Sequence, residues 1–284
     1  MKMSKLFEEK IVVVTGAAGT LCREISLFFA KEGAKVALLG RTEEALETVV
    51  REILSAGGTA EVFPCDVTDE AKMEAVANKI KLLWGGADIL INGAGGNQPG
   101  AMTQNIAYTE EELSENDTDK PCGFFSMDMD VFHSVLSVNT IGTVIACRVF
   151  GKQMAKKQKG VIINFASMNA YCPLTRVPAY AMSKAGIANF TQWLAAYLAP
   201  AGIRVNAIAP GFFLNNRSRN FLGTVEDGLT PRGAQVINHT PQGRFGEASD
   251  LLGTVQWLSD DSASAFVTGI TVPVDGGFLC RSGV

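Results

Sequence analysis

One short segment near the start of the chain is the strongest indicator of its fold: Ile11-Val12-Val13-Val14-Thr15-Gly16-Ala17-Ala18-Gly19-Thr20-Leu21-Cys22. Its run of β-branched residues predicts a strand that is buried on both faces. Small residues follow directly, and we expect a helix to begin at about Leu21. Such a strand-to-helix turn presents backbone N–H groups and a helix N-terminus, which together favour a bound pyrophosphate. A tight turn without any ligand fits this stretch equally well when it is taken alone.

Similar apolar runs recur outward from this turn, and longer segments with helical periodicity lie between them. The predicted strands are 11–14, 35–39, 60–63, 88–91, 161–165, 204–208 and 270–274. The clearest predicted helices are 43–56, 70–84 and 183–198. This alternation predicts one doubly wound α/β domain over 1–284, with a central parallel sheet and helices on both faces. Together with the glycine-rich turn, it makes an NAD(P)-binding Rossmann fold the expectation.

Two polar stretches, 97–129 and 212–244, break the alternation. Each follows a predicted strand, so each should lie at the carboxyl edge of the sheet, where α/β folds bind their ligands. We interpret both as substrate-facing excursions, and the second as a candidate lid. Plain surface insertions remain the alternative.

Composition excludes several classes of partner. The net charge is −4 and the isoelectric point is about 5.4, which gives no reason to expect nucleic acid or an anionic membrane. The uncharged stretch 185–203 contains amides and a proline, which favours a buried helix over a membrane span. Six scattered cysteines and two histidines predict reduced thiols, no metal site and a cytoplasmic location.

The residues after the next strands bear on the nucleotide. Arg41 and Thr42 follow the second strand, where an acidic residue would bind the ribose hydroxyls of NAD. With Arg41 there instead, NADP(H) is favoured and NAD(H) remains possible. Asp66 and Val67 follow the third strand, where a carboxylate can accept from an adenine amino group. Another small-residue turn, Asn92-Gly93-Ala94-Gly95, follows the fourth strand.

Tyr180 and Lys184 are four residues apart, so on a helix they share one face. A nearby cation stabilises a tyrosinate, and it can bring the phenol proton within reach of neutral pH. Ser167 follows the fifth strand, where its hydroxyl can hold a substrate carbonyl oxygen. Taken alone, a Tyr/Lys pair on a helix is more often a solvated surface feature.

Taken together, the motifs resemble the short-chain dehydrogenase/reductase family. They run in order along the chain: Thr15-Gly16, Asp66, Asn92-x-Ala94-Gly95, Asn139, Ser167, Tyr180-x-x-x-Lys184, Pro210-Gly211 and the closing 272–277. The resemblance implies that Tyr180 is the general acid/base, that Lys184 lowers its pKa, that Ser167 orients the carbonyl and that Asn139 holds a proton-relay water. It also implies a homotetramer.

The same resemblance implies a set of residues in contact with the nucleotide. These are Thr15, Gly16, Ala18, Gly19, Thr20, Leu21, Arg41, Thr42, Asp66, Val67, Asn92, Gly93, Ala94, Gly95, Tyr180, Lys184, Pro210, Gly211 and Phe213.

The chain departs from the family pattern in two places. Thr20 and Cys22 occupy the second and third glycine positions of the family turn T-G-x-x-x-G-x-G. Gly93 occupies the second position of the family's Asn-Asn-Ala-Gly. We expect Cys22 to loosen the packing of the first helix on its strand.

Around the site the sequence is similar to the mannonate oxidoreductase (fructuronate reductase) branch of that family. The similar segments are Ser167-Met168-Asn169-Ala170-Tyr171, Ala209-Pro210-Gly211-Phe212-Phe213 and Thr230-Pro231-Arg232-Gly233. This implies a sugar-acid substrate, D-fructuronate or D-mannonate, with contacts from Gln98, Met168, Asn169, Phe212 and Arg217. No single arginine stands out as the carboxylate ligand. Another keto-sugar or polyol reductase (gluconate 5-dehydrogenase-like), a β-ketoacyl carrier-protein reductase and a non-catalytic nucleotide sensor remain alternatives.

Overall fold

The structure is a computed structural model, and it describes residues 5–114, 121–224 and 227–281. Its strands, in chain order, are β1 (Ile11–Thr15), β2 (Lys35–Gly40), β3 (Thr59–Pro64), β4 (Ile89–Asn92), β5 (Gly160–Phe165), β6 (Ile203–Pro210), β7 (Gly223–Thr224), β8 (Gly228–Leu229) and β9 (Thr271–Val274). All except β7 and β8 form one parallel sheet in the order β3-β2-β1-β4-β5-β6-β9. The predicted doubly wound α/β fold is confirmed.

The helices are α1 (Thr20–Lys31), α2 (Glu43–Ser55), α3 (Glu70–Trp84), α4 (Met129–Leu136), α5 (Gly142–Lys157), α6 (Pro178–Leu198), α7 (Asn216–Leu222), α8 (Pro231–His239), α9 (Leu252–Ser259) and α10 (Asp261–Ser264). Helix α6 begins at Pro178 rather than at the predicted residue 183. Proline is well suited to the first helical position, where its missing N–H costs no hydrogen bond.

Alternate residues of β1 supply the two core layers. Val12 and Val14 pack with α1, α2 and α9 on one face of the sheet. Ile11 and Val13 pack with α3, α5 and α6 on the other. Every residue of β1 is buried, as expected for a central strand covered on both sides. This double cover leaves the carboxyl edge of the sheet as the place for a ligand.

Both predicted excursions lie beyond strands at that edge. The first contains short 3-10 turns at Pro99–Ala101, Glu110–Leu113 and Phe124–Ser126. Its backbone is tied to the loop before α6 by a hydrogen bond from Thr103 N–H to Arg176 C=O, 3.0 Å long. The second contains α7, the β7–β8 hairpin and α8. Residues 115–120 and 225–226 of these predicted excursions lie outside the described residues.

The helical run Met129–Lys157, which includes α4 and α5, is long and apolar enough to cross a membrane by length and composition alone. However, 56% of its most apolar window is buried inside the fold. Core helices of globular proteins share these properties, so the run is weak support for a membrane span.

Arg204 of β6 is a buried cation that ties the end of the chain to the sheet. Its side chain is 10% exposed and lies 3.0 Å from an oxygen of Asp261 in α10. It also donates to the carbonyl of Leu258, at 2.9 Å. Burial of the Asp261 carboxyl opposes ionisation, but hydrogen bonds from Arg204 and Lys159 outweigh it and lower the pKa of this carboxyl.

We predict that Arg204→Ala lowers the free energy of unfolding by about 3 kcal/mol, because it removes charge-assisted hydrogen bonds and strands a buried carbonyl. Urea unfolding measures the change. The matched control is Arg148→Ala, whose side chain is 74% exposed beside Glu70 and whose loss should cost less than about 1 kcal/mol. Equal losses in both variants would contradict this role of Arg204.

Candidate active site

The turn after β1 is held by Thr15 and requires glycine at position 16. The Thr15 hydroxyl oxygen accepts hydrogen bonds from the N–H groups of Gly93 and Ala94, each 3.1 Å long. These bonds join the turns after β1 and β4. Gly16 has φ +67°, and a Cβ there would lie 2.8 Å from Ala94 Cα. A side chain would therefore push the two turns apart.

The N-terminus of α1 fits a dinucleotide phosphate. Gly19 precedes the helix, and no side chain caps the first turn. That turn also contains no acidic residue, whereas α3 is capped by Asp69 and carries Glu70. Its N–H groups and the positive end of the helix dipole are therefore available to an anion. Ala18, Gly19 and Thr20 are exposed beside them.

Cys22 does not loosen the packing of α1, contrary to our expectation. The residue is 3% exposed and belongs to the core layer of α1 and β1. Its sulfur occupies the space that a side chain at position 93 would need, since a Cβ built on Gly93 would overlap it. The departures at Cys22 and Gly93 are therefore one exchange, because Cys22 fills the volume that Gly93 leaves empty.

The adenosine end of the predicted cofactor site combines a cation and a carboxylate. Arg41 and Thr42 follow β2 and are exposed. Asp66 follows β3 and accepts from the Thr68 N–H and hydroxyl, both at its Oδ1. These hydrogen bonds, opposed by burial and aided by Arg41, lower the pKa of Asp66. Asp66 is therefore an anion at neutral pH, and its carboxylate can accept from an adenine amino group.

Ser167 is held at the end of β5 by the residues around it. Its hydroxyl oxygen accepts from the backbone N–H and the side-chain amide of Asn169, at 3.2 and 3.3 Å. The Asn169 carbonyl oxygen accepts in turn from Leu174 N–H at 2.9 Å. Asn169 and Met168, predicted as substrate contacts, are only 5% and 2% exposed. In this structure Asn169 orients Ser167 and the loop that leads to α6.

Tyr180 and Lys184 lie on the first turns of α6, next to Ser167. The Ser167 hydroxyl lies close enough to the Tyr180 phenol to act on its pKa. Lys184 is 5% exposed, and its ammonium donates to the carbonyl of Phe165 at 2.6 Å. The Lys184 Nζ lies 5.5 Å from the centre of the Tyr180 ring, within the range of a cation–π contact. The predicted trio is therefore brought together.

The acidities of this pair differ from expectation in one respect. Burial raises the pKa of Tyr180, with the hydrogen bond to Ser167 working in the opposite direction. Burial also lowers the pKa of Lys184 to about 8. The Tyr180 pKa is not lowered by Lys184 as expected, because the free-energy cost of removing the phenolate from water exceeds the stabilisation that the neighbouring groups provide. Tyr180 therefore holds its proton throughout the neutral range.

Asn139 lies in a π-helical turn, Ser137–Ile141, between α4 and α5. Its side-chain oxygen accepts from Gly96 N–H at 3.0 Å, and its amide donates to the carbonyls of Gly96 and Val135. A Cβ at Gly95 would overlap this side chain and lie 3.6 Å from Lys184 Nζ. Asn139 thus fixes the turn after β4 against the ammonium. Single π turns of this kind are frequent at functional sites.

Among the other predicted residues, some lie at the carboxyl edge of the sheet, whereas others pack against protein side chains. Gly211 follows β6 and donates to Val274 C=O at 2.9 Å, which aligns the Pro210–Gly211 turn with β9. Phe213 is 7% exposed and packs in the core. Phe212 packs against Phe278, and the Gln98 amide donates to Ser134. Arg217 lies in α7, and its side chain is outside the described part of the structure.

Sequence reasoning did not single out Arg176 or the pairing of Cys22 with Gly93. A signal for Arg176 was present, because it is the only charged residue between Ser167 and Tyr180. Nothing local indicated the Cys22–Gly93 contact, which joins residues from different turns. Within the described ranges, no group of three or more metal-binding side chains is positioned to hold a metal ion.

A doubly wound sheet with an open helix N-terminus and a Ser/Tyr/Lys trio at its carboxyl edge defines a nicotinamide-dependent oxidoreductase of the alcohol dehydrogenase type. Similarity to known proteins agrees with this class of enzyme. The family described as short chain dehydrogenase matches residues 10–222. The uncharacterized oxidoreductase UxuB of Bacillus subtilis strain 168 is 48% identical over 275 residues, 97% of this chain and 96% of that protein.

Solved structures are also similar. One, from Haemophilus influenzae with bound NAD, is provisionally assigned as a D-mannonate oxidoreductase. Its TM-score is 0.91 and its sequence identity 43%, and the match covers 98% of this chain and 97% of that one. Another, from Beutenbergia cavernae with bound NADP at low occupancy, is provisionally assigned as an NAD(P)-dependent gluconate 5-dehydrogenase. Its TM-score is 0.80 and its sequence identity 29%, and the match covers 98% of this chain and 100% of that one. This chain belongs to the short-chain dehydrogenase family.

The Cys22–Gly93 contact predicts a double-mutant result. Gly93→Asn alone should lower the free energy of unfolding by about 1–3 kcal/mol, because the new side chain collides with the buried sulfur. Adding Cys22→Gly should recover about 1 kcal/mol or more of that loss. Urea unfolding of the four proteins measures the coupling. The control pairs Gly93→Asn with Cys280→Ser, an exposed cysteine; additivity in both pairs would disprove the exchange.

Proposed function

We propose that this chain reduces the keto group of a sugar acid, converting D-fructuronate to D-mannonate, with NADPH as the favoured hydride donor. The contact of the half-buried Tyr180 with Ser167 and Lys184 carries the proposal, because it places a protonated phenol beside a second hydroxyl. The D-mannonate oxidoreductase assignment of the Haemophilus influenzae relative supports this substrate. The similarity to a gluconate 5-dehydrogenase supports a sugar acid more generally.

The side chains divide the work of reduction. When bound, the reduced nicotinamide supplies the hydride for the carbonyl carbon. The Ser167 and Tyr180 hydroxyls converge on the carbonyl oxygen, and Tyr180 gives up its proton to that oxygen as the alcohol forms. Lys184 stabilises the resulting tyrosinate with its charge. Asn139 holds the turn after β4, and it is the proposed anchor of the water that returns the proton.

Preference for NADP(H) is proposed from the end of β2. Arg41 is exposed there, and Arg41 and Thr42 stand directly after the strand in place of the acidic residue that would repel a 2′-phosphate. The NAD bound in one relative and the NADP bound in another show that both nucleotides occur among similar proteins. A direct comparison of the two nucleotides therefore belongs in the assay.

We further propose a cytoplasmic homotetramer built on one NAD(P)-binding domain, with the excursions 97–129 and 212–244 framing the substrate. The stacked aromatic side chains of Phe190, Trp193 and Tyr197 on α6 support the assembly. Trp193 and Tyr197 are 58% and 68% exposed, which is unusual for an aromatic ladder outside an interface. Neither nucleic acid nor a membrane is a proposed partner.

The test is NADPH and NADH oxidation with D-fructuronate, 5-keto-D-gluconate and an acetoacetyl thioester. We predict that D-fructuronate turns over with the highest kcat/KM and that NADPH is the better donor. Tyr180→Phe should reduce kcat/KM about 100- to 10,000-fold, because the proton donor is lost. The matched control is Tyr197→Phe, which removes an exposed hydroxyl from the same helix and should change kcat/KM less than about twofold.

Each other assay result would indicate a different enzyme or contradict the proposal. Faster turnover of the thioester would assign a carrier-protein reductase, and faster turnover of 5-keto-D-gluconate would assign a gluconate 5-dehydrogenase. Cofactor binding without turnover of any ketone would contradict the proposed reaction. Full activity of Tyr180→Phe would contradict the role of the phenol.

A further inference from the structure

Two arginines at the carboxyl edge of the sheet lack an anionic partner among the described residues. Arg176 lies four residues before Tyr180, in the loop that starts at Ser167. Arg232 lies in the first turn of α8, in the second excursion. Each is half-buried. The described residues provide no ion-pair partner for either one.

The first sign of an unmet interaction is on Arg176. Its Nε is fully buried and has no hydrogen-bond partner among the described residues. Its backbone is also unusual, with φ +73°, a left-handed conformation that is costly for a side chain of this kind. The Arg176 carbonyl is tied to Thr103 N–H. The fold therefore fixes the backbone at Arg176 and buries an Nε–H for which no described residue provides an acceptor.

The second sign is the position of Arg232. A cation in the first turn of a helix meets the positive end of the helix dipole, which disfavours it. The first turn of α8 contains no acidic residue to offset this. Burial lowers the pKa of Arg232, and the charge of Arg176 lowers it further.

Both arginines belong to elements that flank the reacting groups. The loop that carries Arg176 is joined to Ser167 through Asn169, whose side chain donates to the Ser167 hydroxyl and accepts from Leu174 N–H. Helix α8 packs, through Val236 and Ile237, in a cluster that includes Phe212, directly after β6. The pair therefore spans the loop before Tyr180 and the excursion over the carboxyl edge.

We propose that Arg176 and Arg232 together bind the carboxylate of the substrate whose keto group is reduced at Tyr180, so that the enzyme takes keto acids in preference to their uncharged counterparts. This inference rests on the proposed reduction and specifies its substrate class. A carboxylate has two oxygens that match the fork of a guanidinium. It removes the repulsion between the two cations, complements the N-terminus of α8, and supplies an acceptor for the Arg176 Nε.

The test compares matched substrates that differ only in the charged group. D-Fructuronate and D-fructose form one pair, since the carboxylate of the first is a hydroxymethyl group in the second. 5-Keto-D-gluconate and L-sorbose form another. Steady-state kinetics are measured for wild type, Arg176→Gln, Arg232→Gln and the charge-matched control Arg51→Gln, whose exposed side chain pairs with Glu47 on α2.

We expect each of the first two variants to raise KM for the keto acid about 10- to 100-fold, the loss expected for one charge-assisted hydrogen bond. Their kcat for the acid and their kcat/KM for the neutral partner should change less than about threefold, because the carboxylate ligand lies away from the reacting carbon. Arg51→Gln should match wild type. Unchanged KM for the acid, or equal losses for acid and neutral substrates, would overturn the inference.

Binding to the wild type alone provides a readout that does not depend on the variants folding. Calorimetry with reduced cofactor present should show D-mannonate binding at least about tenfold more tightly than D-mannitol, its uncharged counterpart. Equal affinities would overturn the inference. If D-fructuronate is not reduced but 5-keto-D-gluconate is, and the arginine variants raise its KM, the proposed substrate fails while the carboxylate site stands.

Discussion

The burial of the Lys184 ammonium is the constraint on which the carboxyl edge depends. A buried cation costs several kcal/mol unless it is hydrogen-bonded and closely surrounded. The Phe165 carbonyl at the end of β5 accepts from it, and the ring of Tyr180 lies beside it. Position 95 must be glycine to leave room for the Asn139 side chain, and a Cβ there would lie 3.6 Å from the ammonium. The ammonium therefore lies where the end of β5, the turn after β4 and α6 meet.

This constraint also shapes the chemistry. Burial drives Lys184 and Tyr180 toward their neutral forms, which keeps the phenol protonated and makes it a proton donor for carbonyl reduction. The whole chain carries a net charge of −4, yet the carboxyl edge presents Arg41, Arg176, Lys184 and Arg232. An edge that is cationic in an acidic protein attracts anions locally. It suits both a dinucleotide phosphate and a substrate carboxylate.

Much of this was predictable from sequence because it depends on local patterns. All the predicted strands of the main sheet are present, with ends that shift by a residue or two, since β-branched runs and the turns between them are local signals. The Ser167, Tyr180 and Lys184 trio follows from spacing and strand ends. Three features depend on distant contacts and were not predicted: the fit of Cys22 to Gly93, the π turn at Asn139 and the unsatisfied Arg176. The direction of the Tyr180 pKa shift belongs with them, because burial is a property of the assembled fold.

The pH dependence of kcat/KM for NADPH-dependent reduction of D-fructuronate tests most directly whether the buried Lys184 charge governs proton transfer. A group whose pKa is lowered to about 8 is charged below that pH and neutral above it. We predict that kcat/KM is constant through neutral pH and falls above about pH 8, as Lys184 loses the charge that stabilises the tyrosinate. A profile that stays flat until about pH 10, where an ordinary lysine titrates, would contradict this account.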